Sequence, residues 1–581
     1  MALRPQHPAP RPVPELTVRA VVTGMLIGAL LTPCNVYSGL KIGWAFNMSI
    51  AAGLIGFGLW RALGRRWGLL ENNINQTAAS SAASIISGGL VAPIPAWQLI
   101  TGGSLPFPLL AFWVFVVSAL GIVVAAGIRN QMLVREQLQF PAGVATAATM
   151  RQIHGDGPEA ARGLRLLLGG GAVSALLKLV DGATGSLPRL ALPAVGAAPP
   201  TAANLGFVLD PSLLMVGFGA IVGLRIGLSL LIGAVLAWAL LGPLAVAQGW
   251  AEAGPADAAA PWFGALVEWL LWPGVTLMVV ATLTSLAITL VRIARRRRRG
   301  RAATASLPPT LPLPVFVAAF GVCLLLAATA QVMIFGIGAW QAALAVVLSF
   351  VLAAVAARVA GETGIAPIGA VGKVTQLSFG AITPGDATAN LMAANVTGGA
   401  AGQAADLLQD LRTGMIVGAS PAFQAVAQVF GVLTGSLVGS LVYLVLIPDP
   451  AGMLLTAEWP APAVATWKAV AEVMAQGPGA LPPAAMPAMA VAGVAGLLLA
   501  LAESFLPARL ARMVPSGAAV GLAFVIPAWN ALSFFLGAVA AALLRRAAPD
   551  WADRYTTVLA AGLVAGESIA GVVMAGMQIA G

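Results

Sequence analysis

The chain has 581 residues, of which 59% are hydrophobic and 9% are charged, and its mean hydropathy is +0.91. Because soluble globular proteins carry about 25% charged residues, this composition excludes an ordinary soluble domain and predicts a polytopic helical membrane protein. The net charge of +10 does not indicate a nucleic-acid partner, since the basic residues form short clusters between apolar segments. Such clusters mark cytoplasmic loops, so the expected partner of this surface is the lipid bilayer.

Residues that hold metals or carry nucleophilic chemistry are scarce. Both cysteines, Cys34 and Cys323, lie in apolar segments, while His7 lies in the amino-terminal tail and His154 in a loop. These positions favour neither a disulfide framework nor a resident zinc or copper site. The sequence also lacks the GxxxxGK(S/T) pattern of ATP-binding loops. We therefore expect a protein that needs no cofactor and is not an enzyme.

One basic cluster divides the chain into two apolar halves. Residues 1–16 are Pro-rich and basic and predict a disordered cytoplasmic tail rather than a cleaved signal peptide. Residues 17–291 are interpreted as an amino-terminal transmembrane half, 292–312 as a basic and Pro-rich cytoplasmic linker, and 313–581 as a carboxy-terminal transmembrane half. At about 20 residues per crossing, we expect roughly 14 to 16 transmembrane segments.

The most polar stretch inside the apolar chain runs from Gly361 to Ser420 and combines charged, amide, glycine and proline residues. A charge at the membrane centre costs about 2.5 to 3.5 kcal/mol, so this stretch should face protein or a water-filled cavity. Pro367, Pro384 and the neighbouring glycines exclude one straight helix. Interrupted helices line the binding sites of many transporters, and the stretch therefore predicts the core of a substrate pathway.

A second polar stretch, Asn35 to Trp44, follows Pro33 and predicts another interrupted helix. The amide-rich run Glu71 to Thr77 then opens a helix of Ala, Ser and Gly, for which tight packing and a pathway-lining role are both open. Interrupted segments in corresponding positions favour an all-α transporter built from two repeat-related halves with broken or re-entrant helices.

Two further stretches are expected not to cross the membrane. Glu136 to Met150 is short and polar and predicts a re-entrant or interfacial helix. Residues 449–483 are rich in proline, and the short apolar run from Trp467 to Met474 within them predicts a helix lying on the outer face.

The chain resembles the oligopeptide transporter (OPT) family, which includes the yellow stripe-like transporters, along nearly its whole length. The resemblance rests on NVYSGLKIGWAF, ENNINQTAASSAAS, LQFPAGVATA, AGLVAGESIAGV and a central run that begins GETGIAPIGAVGKVTQLSFG and ends DLRTGMIVGASP. It implies a helical fold that arose by duplication. It also implies proton-coupled, secondary-active uptake of short peptides, peptide derivatives such as glutathione, or metal complexes of chelators such as nicotianamine and siderophores.

Proton coupling requires a group that titrates as the carrier changes state, and a buried carboxylate can do this. One proton crossing about 100 mV releases roughly 2.3 kcal/mol, so one or two carboxylates suffice. Glu362 is the first candidate because it opens the broken stretch, although it could instead be an interfacial residue paired with Arg358. The other candidates are Asp406 and Asp410, four residues apart on one helix face, and Glu567, isolated in an apolar segment. A solvated helix end is the alternative for the aspartates, and a purely structural partner for Glu567.

Peptides and chelates carry carboxylates, which cations and amides can bind. Two of the four lysines, Lys41 and Lys373, lie in the polar stretches. Each amide residue there could instead serve the unwound backbone, which also needs hydrogen-bond partners. The candidate substrate-binding residues are Asn35, Tyr37, Lys41, Asn72, Asn73, Gln76, Lys373, Gln376, Asn390 and Asn395.

The leading hypothesis is a proton-driven symporter of the inner membrane, with a cytoplasmic amino terminus, that imports short oligopeptides or peptide-like compounds by alternating access. The first alternative keeps the fold and changes the cargo to a metal chelate, whose chelator supplies the metal ligands. The second alternative is a channel, which would not depend on a proton gradient. The expected partners are the cargo, protons and the bilayer, and homo-oligomerisation is left open.

Overall fold

The computed structural model describes residues 14–43, 45, 47–155, 157–184, 190–191, 200–299, 310–363, 366–477, 479 and 481–580. Most of the predicted tail at 1–16 and residues 300–309 of the predicted linker lie outside these described residues. Within them the fold is a bundle of α-helices, and the one strand ladder is a two-residue antiparallel pair, β1 (Leu190–Ala191) with β2 (Val208–Leu209). The prediction of an all-α polytopic protein is confirmed.

The helices of the first half follow one another with short connections. In chain order they are α1 (Val18–Ile42), α2 (Ser49–Ala62), α3 (Leu69–Ala83), a 3-10 segment (Ser84–Gly88), α4 (Pro93–Thr101), α5 (Phe107–Arg129), a π-helical segment (Asn130–Arg135), α6 (Pro141–Gly155), α7 (Gly157–Ala183), α8 (Leu213–Val222), α9 (Leu224–Ala234), a second π-helical segment (Val235–Leu241), α10 (Gly242–Ala247) and α11 (Phe263–Arg299).

The second half continues the bundle. Its helices are α12 (Leu313–Phe335), α13 (Ala339–Thr363), α14 (Ile368–Ile382), α15 (Ala387–Val417), α16 (Pro421–Leu446), α17 (Pro450–Met453), α18 (Pro462–Gln476), α19 (Ala485–Phe505), α20 (Ala508–Ala511), α21 (Gly517–Leu522), α22 (Ala528–Ala547) and α23 (Pro549–Ala580).

Twelve segments of the described chain are long and apolar enough to cross a membrane. The helices α2 and α8 are apolar but shorter. At 1.5 Å per residue the 31 residues of α15 extend over about 46 Å, yet α15 is not among the twelve because its middle is rich in amides, threonine and aspartate. The predicted total of 14 to 16 segments therefore depends on how α2, α8 and α15 are counted. The repeat relation between the two halves stays a prediction.

The polar stretch of the second half is interrupted as expected. Helix α13 ends at Thr363, α14 begins after Pro367, and a turn with Gly385 at a φ of 85° separates α14 from α15. An additional interruption in the first half was not predicted from the sequence. There α3 passes into the 3-10 segment, and Gly89 at a φ of 114° precedes the short helix α4.

The predicted interruption between Asn35 and Trp44 is wrong over most of its length. Helix α1 continues through Pro33 to Ile42 and ends at Gly43, which has a φ of 74°. A proline is tolerated inside a membrane helix when neighbouring groups satisfy the backbone. The hydroxyl of Thr32 donates to the carbonyl oxygens of Gly28 and Ala82, which ties this part of α1 to α3.

The Ala/Ser/Gly helix α3 is packed between α1 and α16 at very short distances. A methyl group added at Gly28 of α1 would lie 2.6 Å from Cβ of Ala82, and one added at Gly431 of α16 would lie 2.1 Å from the carbonyl oxygen of Ala78. Small residues allow membrane helices to approach in this way. The sequence left tight packing and a pathway-lining role both open for this helix. These distances show that its Ala/Ser part is tightly packed.

The helix predicted within residues 449–483 is present, but it does not lie on the surface of the bundle. Helix α18 is longer than expected, and Val464, Trp467 and Ala471 are buried. It packs against α1, α4, α14 and α15. The amide of Ala461 donates to the carbonyl oxygen of Leu40 at 2.9 Å, which fixes the start of α18 to the end of α1.

Candidate functional site

Helix α15 carries a row of polar side chains through the bundle, and each is at most 7% exposed. They are Asn390, Asn395, Thr397, Gln403, Gln409, Asp410 and Thr413. From Asn390 to Asp410 the helix rises about 30 Å, a distance comparable with the thickness of the hydrocarbon core of a bilayer. The helix packs against α3, α5, α13, α14 and α16, so its polar groups face protein rather than lipid. Buried polar groups require partners, and those partners form two separate clusters.

The first cluster, called here the lysine pocket, consists of Lys373, Gln376, Asn390 and Trp467. The ammonium group of Lys373 donates to Oε1 of Gln376 at 2.9 Å and lies 4.4 Å from the ring centroid of Trp467. Nε2 of Gln376 donates to Oδ1 of Asn390 at 3.1 Å and to the carbonyl oxygen of Trp467 at 3.0 Å. Lys373 is only 4% exposed, and no carboxylate of the described residues forms an ion pair with it.

Gly372 allows the tryptophan to reach this lysine, and Gly398 lies at an ordinary contact distance from the same ring. A methyl group added at Gly372 would lie 2.5 Å from Cη2 of Trp467, and one added at Gly398 would lie 3.6 Å from the same atom. Distances below 3 Å between non-bonded carbon atoms are repulsive, so a side chain at Gly372 would displace the ring. Glycine in the polar stretch therefore makes room for the indole as well as interrupting helices.

Lys41 is in a related setting. Its ammonium group lies 4.5 Å from the ring centroid of Trp459 and 5.6 Å from that of Tyr37, and it donates to the carbonyl oxygen of Glu458. Cation–π contacts of this kind stabilise an ammonium group by about 0.5 to 2 kcal/mol. Both tryptophans come from residues 454–476, so one segment covers both candidate lysines.

The second cluster, called here the acid network, joins α2, α3, α15 and α16. It consists of Ser49, Gln76, Thr77, Asp410 and Gln424, and all of these side chains are at most 2% exposed. The hydroxyl of Ser49 donates to Oδ1 of Asp410 at 3.2 Å. Nε2 of Gln424 donates to the carbonyl oxygen of Asp410 at 2.7 Å and to the hydroxyl of Thr77 at 3.3 Å.

The remaining amide candidates are bound to neighbouring protein groups. Asn35 donates to the carbonyl oxygen of Ala83 at 2.9 Å, where α3 loses its regular hydrogen bonds. Asn72 donates to the carbonyl oxygen of Gly53 at 3.2 Å. These contacts give Asn35 and Asn72 structural roles in this conformation, which was the alternative stated for every amide.

Two candidates lie beside the clusters. Asn73 accepts from Gln76 at 3.3 Å, so it adjoins the acid network. Asn395 accepts from the indole of Trp113 at 2.8 Å and lies against Gly89. It therefore marks the point where α15 passes the unpredicted interruption between α3 and α4.

The candidate coupling residues occupy different environments. Glu362 is exposed at the end of α13, where Arg358 forms an ion pair with Glu136. Asp406 is half-buried. Glu567 of α23 accepts from the hydroxyl of Ser212 at 2.7 Å and from the backbone N–H of Leu214 at 2.8 Å, both at the first turn of α8.

Sequence reasoning missed three residues of these clusters. Trp467 was noted only as the start of an outer helix, because nothing in a Pro-rich segment indicates that it enters the bundle. Ser49 begins α2 without a recognisable pattern. Gln424 offered a signal, since two amides four residues apart, Gln424 and Gln428, are unusual within the otherwise apolar start of α16.

The chain was compared with known proteins. The model of the family described as "OPT oligopeptide transporter protein" matches residues 15–578. The chain is 24% identical to the Saccharomyces cerevisiae protein named "Putative oligopeptide transporter YGL114W", over 96% of this chain and 95% of that protein. It is 24% identical to "Probable metal-nicotianamine transporter YSL14" of Oryza sativa, over 96% of this chain and 84% of that protein. It is also 24% identical to "Probable metal-nicotianamine transporter YSL4" of Arabidopsis thaliana, over 96% of this chain and 92% of that protein.

Proposed function

This chain belongs to the oligopeptide transporter family, and from that premise we propose that it imports short oligopeptides or peptide-like compounds by proton-coupled symport. As a multi-pass transporter it would act in the inner membrane with its amino terminus in the cytoplasm. The cargo would bind at the lysine pocket and move by alternating access. The yeast relative, whose name refers to oligopeptide transport, supports a peptide as cargo.

The observation that carries this proposal is the buried ammonium group of Lys373, which forms no ion pair with any described carboxylate. A buried charge without a partner is costly, and proteins normally pair it or neutralise it. Every linear peptide ends in a carboxylate, which would complete an ion pair with Lys373 while Gln376 and Asn390 bind neighbouring amide groups. The indole of Trp467 already provides one electron-rich face, so the carboxylate would supply the missing negative charge.

The interruptions around the pocket support alternating access. Helix α14 carries Lys373 and Gln376, and it is bounded by non-helical residues on both sides. Lys373, Gln376 and Asn390 are all nearly inaccessible to solvent, which corresponds to an occluded conformation. A short helix between two interruptions can move with few broken backbone hydrogen bonds, so α14 and the overlying α18 are the elements that we expect to open the pocket.

A metal chelate is the second candidate cargo, and the names of the plant relatives favour it. A chelator that binds its metal through carboxylates would place those same groups near Lys373, so the pocket accommodates this chemistry too. The chelator would then supply the metal ligands and the protein would supply the counter-charge. A channel, the remaining alternative, would conduct without a proton gradient.

Uptake into proteoliposomes tests these alternatives. A radiolabelled dipeptide is offered with and without an inward proton gradient, and with and without an excess of a metal–nicotianamine complex. We expect accumulation only with the gradient. Competition by the complex would assign a shared site, and accumulation of the complex alone would replace peptide by chelate as cargo. Equal flux with and without the gradient would contradict symport.

A control variant separates the role of Lys373 from a general charge effect. Lys178 lies in α7 and forms an ion pair with Asp181 at 3.1 Å, so Lys178→Met removes the same charge from a paired site. We expect Lys373→Met to abolish uptake and Lys178→Met to retain it. Equal loss in both variants would remove the lysine pocket from the proposal.

A further inference from the structure

The acid network contains buried oxygen atoms to which no described residue donates a hydrogen bond. Oδ2 of Asp410, Oε1 of Gln76 and Oε1 of Gln424 have no hydrogen-bond partner among the described residues, and their side chains are at most 2% exposed. More than nine in ten buried polar groups in folded proteins are hydrogen-bonded. Three unpartnered oxygens in one cluster therefore point to a bound species that the protein itself does not supply.

The two glutamine side chains meet at one hydroxyl group, that of Thr77. Thr77 accepts from Nε2 of Gln76 at 3.0 Å and from Nε2 of Gln424 at 3.3 Å. The same nitrogen of Gln424 also contacts the backbone of Asp410, and the amide of Gln76 lies beside the Asp410 carboxylate. Because both amide nitrogens are used within the protein, their oxygens are left to bind something else.

The charge of Asp410 has no basic counterpart in the described structure. Helix α16 contains no charged residue, and one turn before Asp410 on α15 stands a second acid, Asp406. Lys373 of α14 contacts Gln376 and Trp467 in the lysine pocket, and charged residues on the other neighbouring helices have other contacts. Three of them form ion pairs: Glu71 of α3 with Arg19, Arg358 of α13 with Glu136, and Lys468 of α18 with Glu472. Arg129 of α5 donates to the side chain of Asn130. On α6, Arg151 contacts the carbonyl oxygen of Ile416, and His154 contacts that of Met150. Arg61 at the end of α2 is exposed, and Arg412 contacts Met415.

We propose that the acid network binds the coupling cation of transport, a small monovalent cation held by the Asp410 carboxylate and the amide oxygens of Gln76 and Gln424. This inference rests on the proposed function as a coupled transporter and deepens it. Small hard cations take oxygen ligands, and one carboxylate with two neutral oxygens balances a single positive charge. If the ion is a proton, it binds the Asp410 carboxylate and is hydrogen-bonded to an amide oxygen. If it is Na⁺, the carboxylate and both amide oxygens coordinate it directly.

The geometry distinguishes Asp410 from the other candidate carboxylates. Both oxygens of Glu567 already accept hydrogen bonds from the first turn of α8. Glu362 is exposed at a helix end, and Asp406 is half-buried. Asp410 combines full burial, the absence of a basic partner and an oxygen atom that remains unbound.

The test uses the purified full-length protein and the matched pair Asp410→Asn and Asp406→Asn, one helical turn apart on α15. In the sodium arm, binding of ²²Na⁺ is measured in detergent with choline replacing sodium in the blank. In the proton arm, dipeptide accumulation in proteoliposomes is measured under an inward proton gradient, alongside dipeptide exchange without a gradient.

Either arm can support the proposal. Loss of ²²Na⁺ binding in Asp410→Asn with retention in Asp406→Asn assigns sodium to the network. Loss of proton-driven accumulation in Asp410→Asn, with exchange retained and Asp406→Asn unaffected, assigns the proton. If Asp410→Asn binds sodium and accumulates dipeptide as the unaltered protein does, the proposal is overturned.

Gln424→Leu provides a second variant if Asp410→Asn does not fold. It removes one proposed ligand and leaves an apolar side chain one atom shorter at the same buried position, and we expect about tenfold weaker apparent affinity for the coupling ion. An unchanged affinity would overturn the ligand assignment. Failure of the proposed function looks different, because a protein that binds ²²Na⁺ through Asp410 but accumulates neither dipeptide nor chelate would keep the ion site and lose only the cargo assignment.

Discussion

The lysine pocket and the acid network each contain a residue of α15, and the two clusters carry charges of opposite sign. Asn390 belongs to the first and Asp410 to the second, and about 30 Å of α15 separates them. Among the described residues, the buried cation of the pocket forms no ion pair with an acid, and the buried anion of the network forms none with a base. Because neither charge compensates the other, each is suited to a ligand of the opposite sign, which separates cargo binding from ion binding along one helix.

The two regions also differ in the elements that enclose them. In the lysine pocket, Lys373 and Gln376 come from α14, which is interrupted at both ends, and the 15-residue helix α18 covers them. The acid network lies between α3, α15 and α16, and α16 is continuous over 26 residues. We therefore expect the pocket to open and close during transport while the network changes mainly in occupancy.

The largest effect on dipeptide binding is expected from replacing Lys373 in the lysine pocket. Replacing Lys373 by Met removes the proposed counter-charge for the cargo carboxylate, and loss of one member of a buried charge pair costs about 2 to 5 kcal/mol. Dipeptide affinity should fall at least about thirtyfold. Equilibrium binding of labelled dipeptide measures this directly, and an affinity within threefold of the unaltered protein would show that the cargo carboxylate binds elsewhere.

A smaller effect should follow when the cover of the pocket is displaced without touching any charge. Gly372→Ala places a methyl group 2.5 Å from the Trp467 ring, while Gly369→Ala, on the same helix, meets no atom within 4 Å. Overpacking costs about 1 to 3 kcal/mol, so uptake should fall about tenfold for Gly372→Ala and stay unchanged for Gly369→Ala. Similar uptake by both variants would show that the position of Trp467 does not matter for cargo.

Glu567 tests whether a buried carboxylate outside both regions has a structural role. Glu567→Gln weakens the hydrogen bonds to the first turn of α8, and we expect the free energy of unfolding to fall by about 1 to 3 kcal/mol with coupling retained. Thermal unfolding in detergent measures the first outcome, and Glu252→Gln, in an exposed loop, is the control. An unchanged melting temperature with loss of gradient-driven accumulation would instead assign Glu567 to coupling.

The smallest effect is expected at Glu362, where two hypotheses give opposite results. The sequence places Glu362 first among the coupling residues, and Glu362→Gln would then abolish gradient-driven accumulation. Its exposure favours the acid network instead, and surface substitutions usually change free energies by no more than about 0.5 kcal/mol. We expect the accumulation ratio to stay within about twofold, and its loss would return the coupling role to Glu362.

Particular residues show where sequence reasoning succeeded. The polar stretch after α13 was located from its charges, prolines and glycines, and α15 with its buried Asn390 and Asp410 lies within it. The interruptions next to Pro367 and Gly385 were expected because both residues have restricted or unusual backbone conformations. Lys373 was selected because lysine is rare in this chain, and its burial without an acid partner agrees with that choice.

Other residues show why parts of the fold and of the two clusters could not be predicted from the sequence. Pro33 suggested an unwound turn, but contacts with α3 keep α1 helical through it. Trp467 lay in a segment whose prolines are typical of a surface loop, yet it enters the bundle because Gly372 leaves space for an indole. Gln76 and Gln424 are 348 positions apart in the chain and meet only at Thr77.

Composition and local pattern alone determined that this is a helical membrane protein with an unusually polar segment, because burying charged and amide groups among apolar residues has a large cost wherever it occurs. They also located the helix ends next to Pro367 and Gly385, since proline and glycine act on their own backbone. Only the tertiary structure decided which polar groups meet and which are left without a partner. Hydrogen bonds and ion pairs act over a few ångströms of space, and distance along the chain does not reveal that proximity.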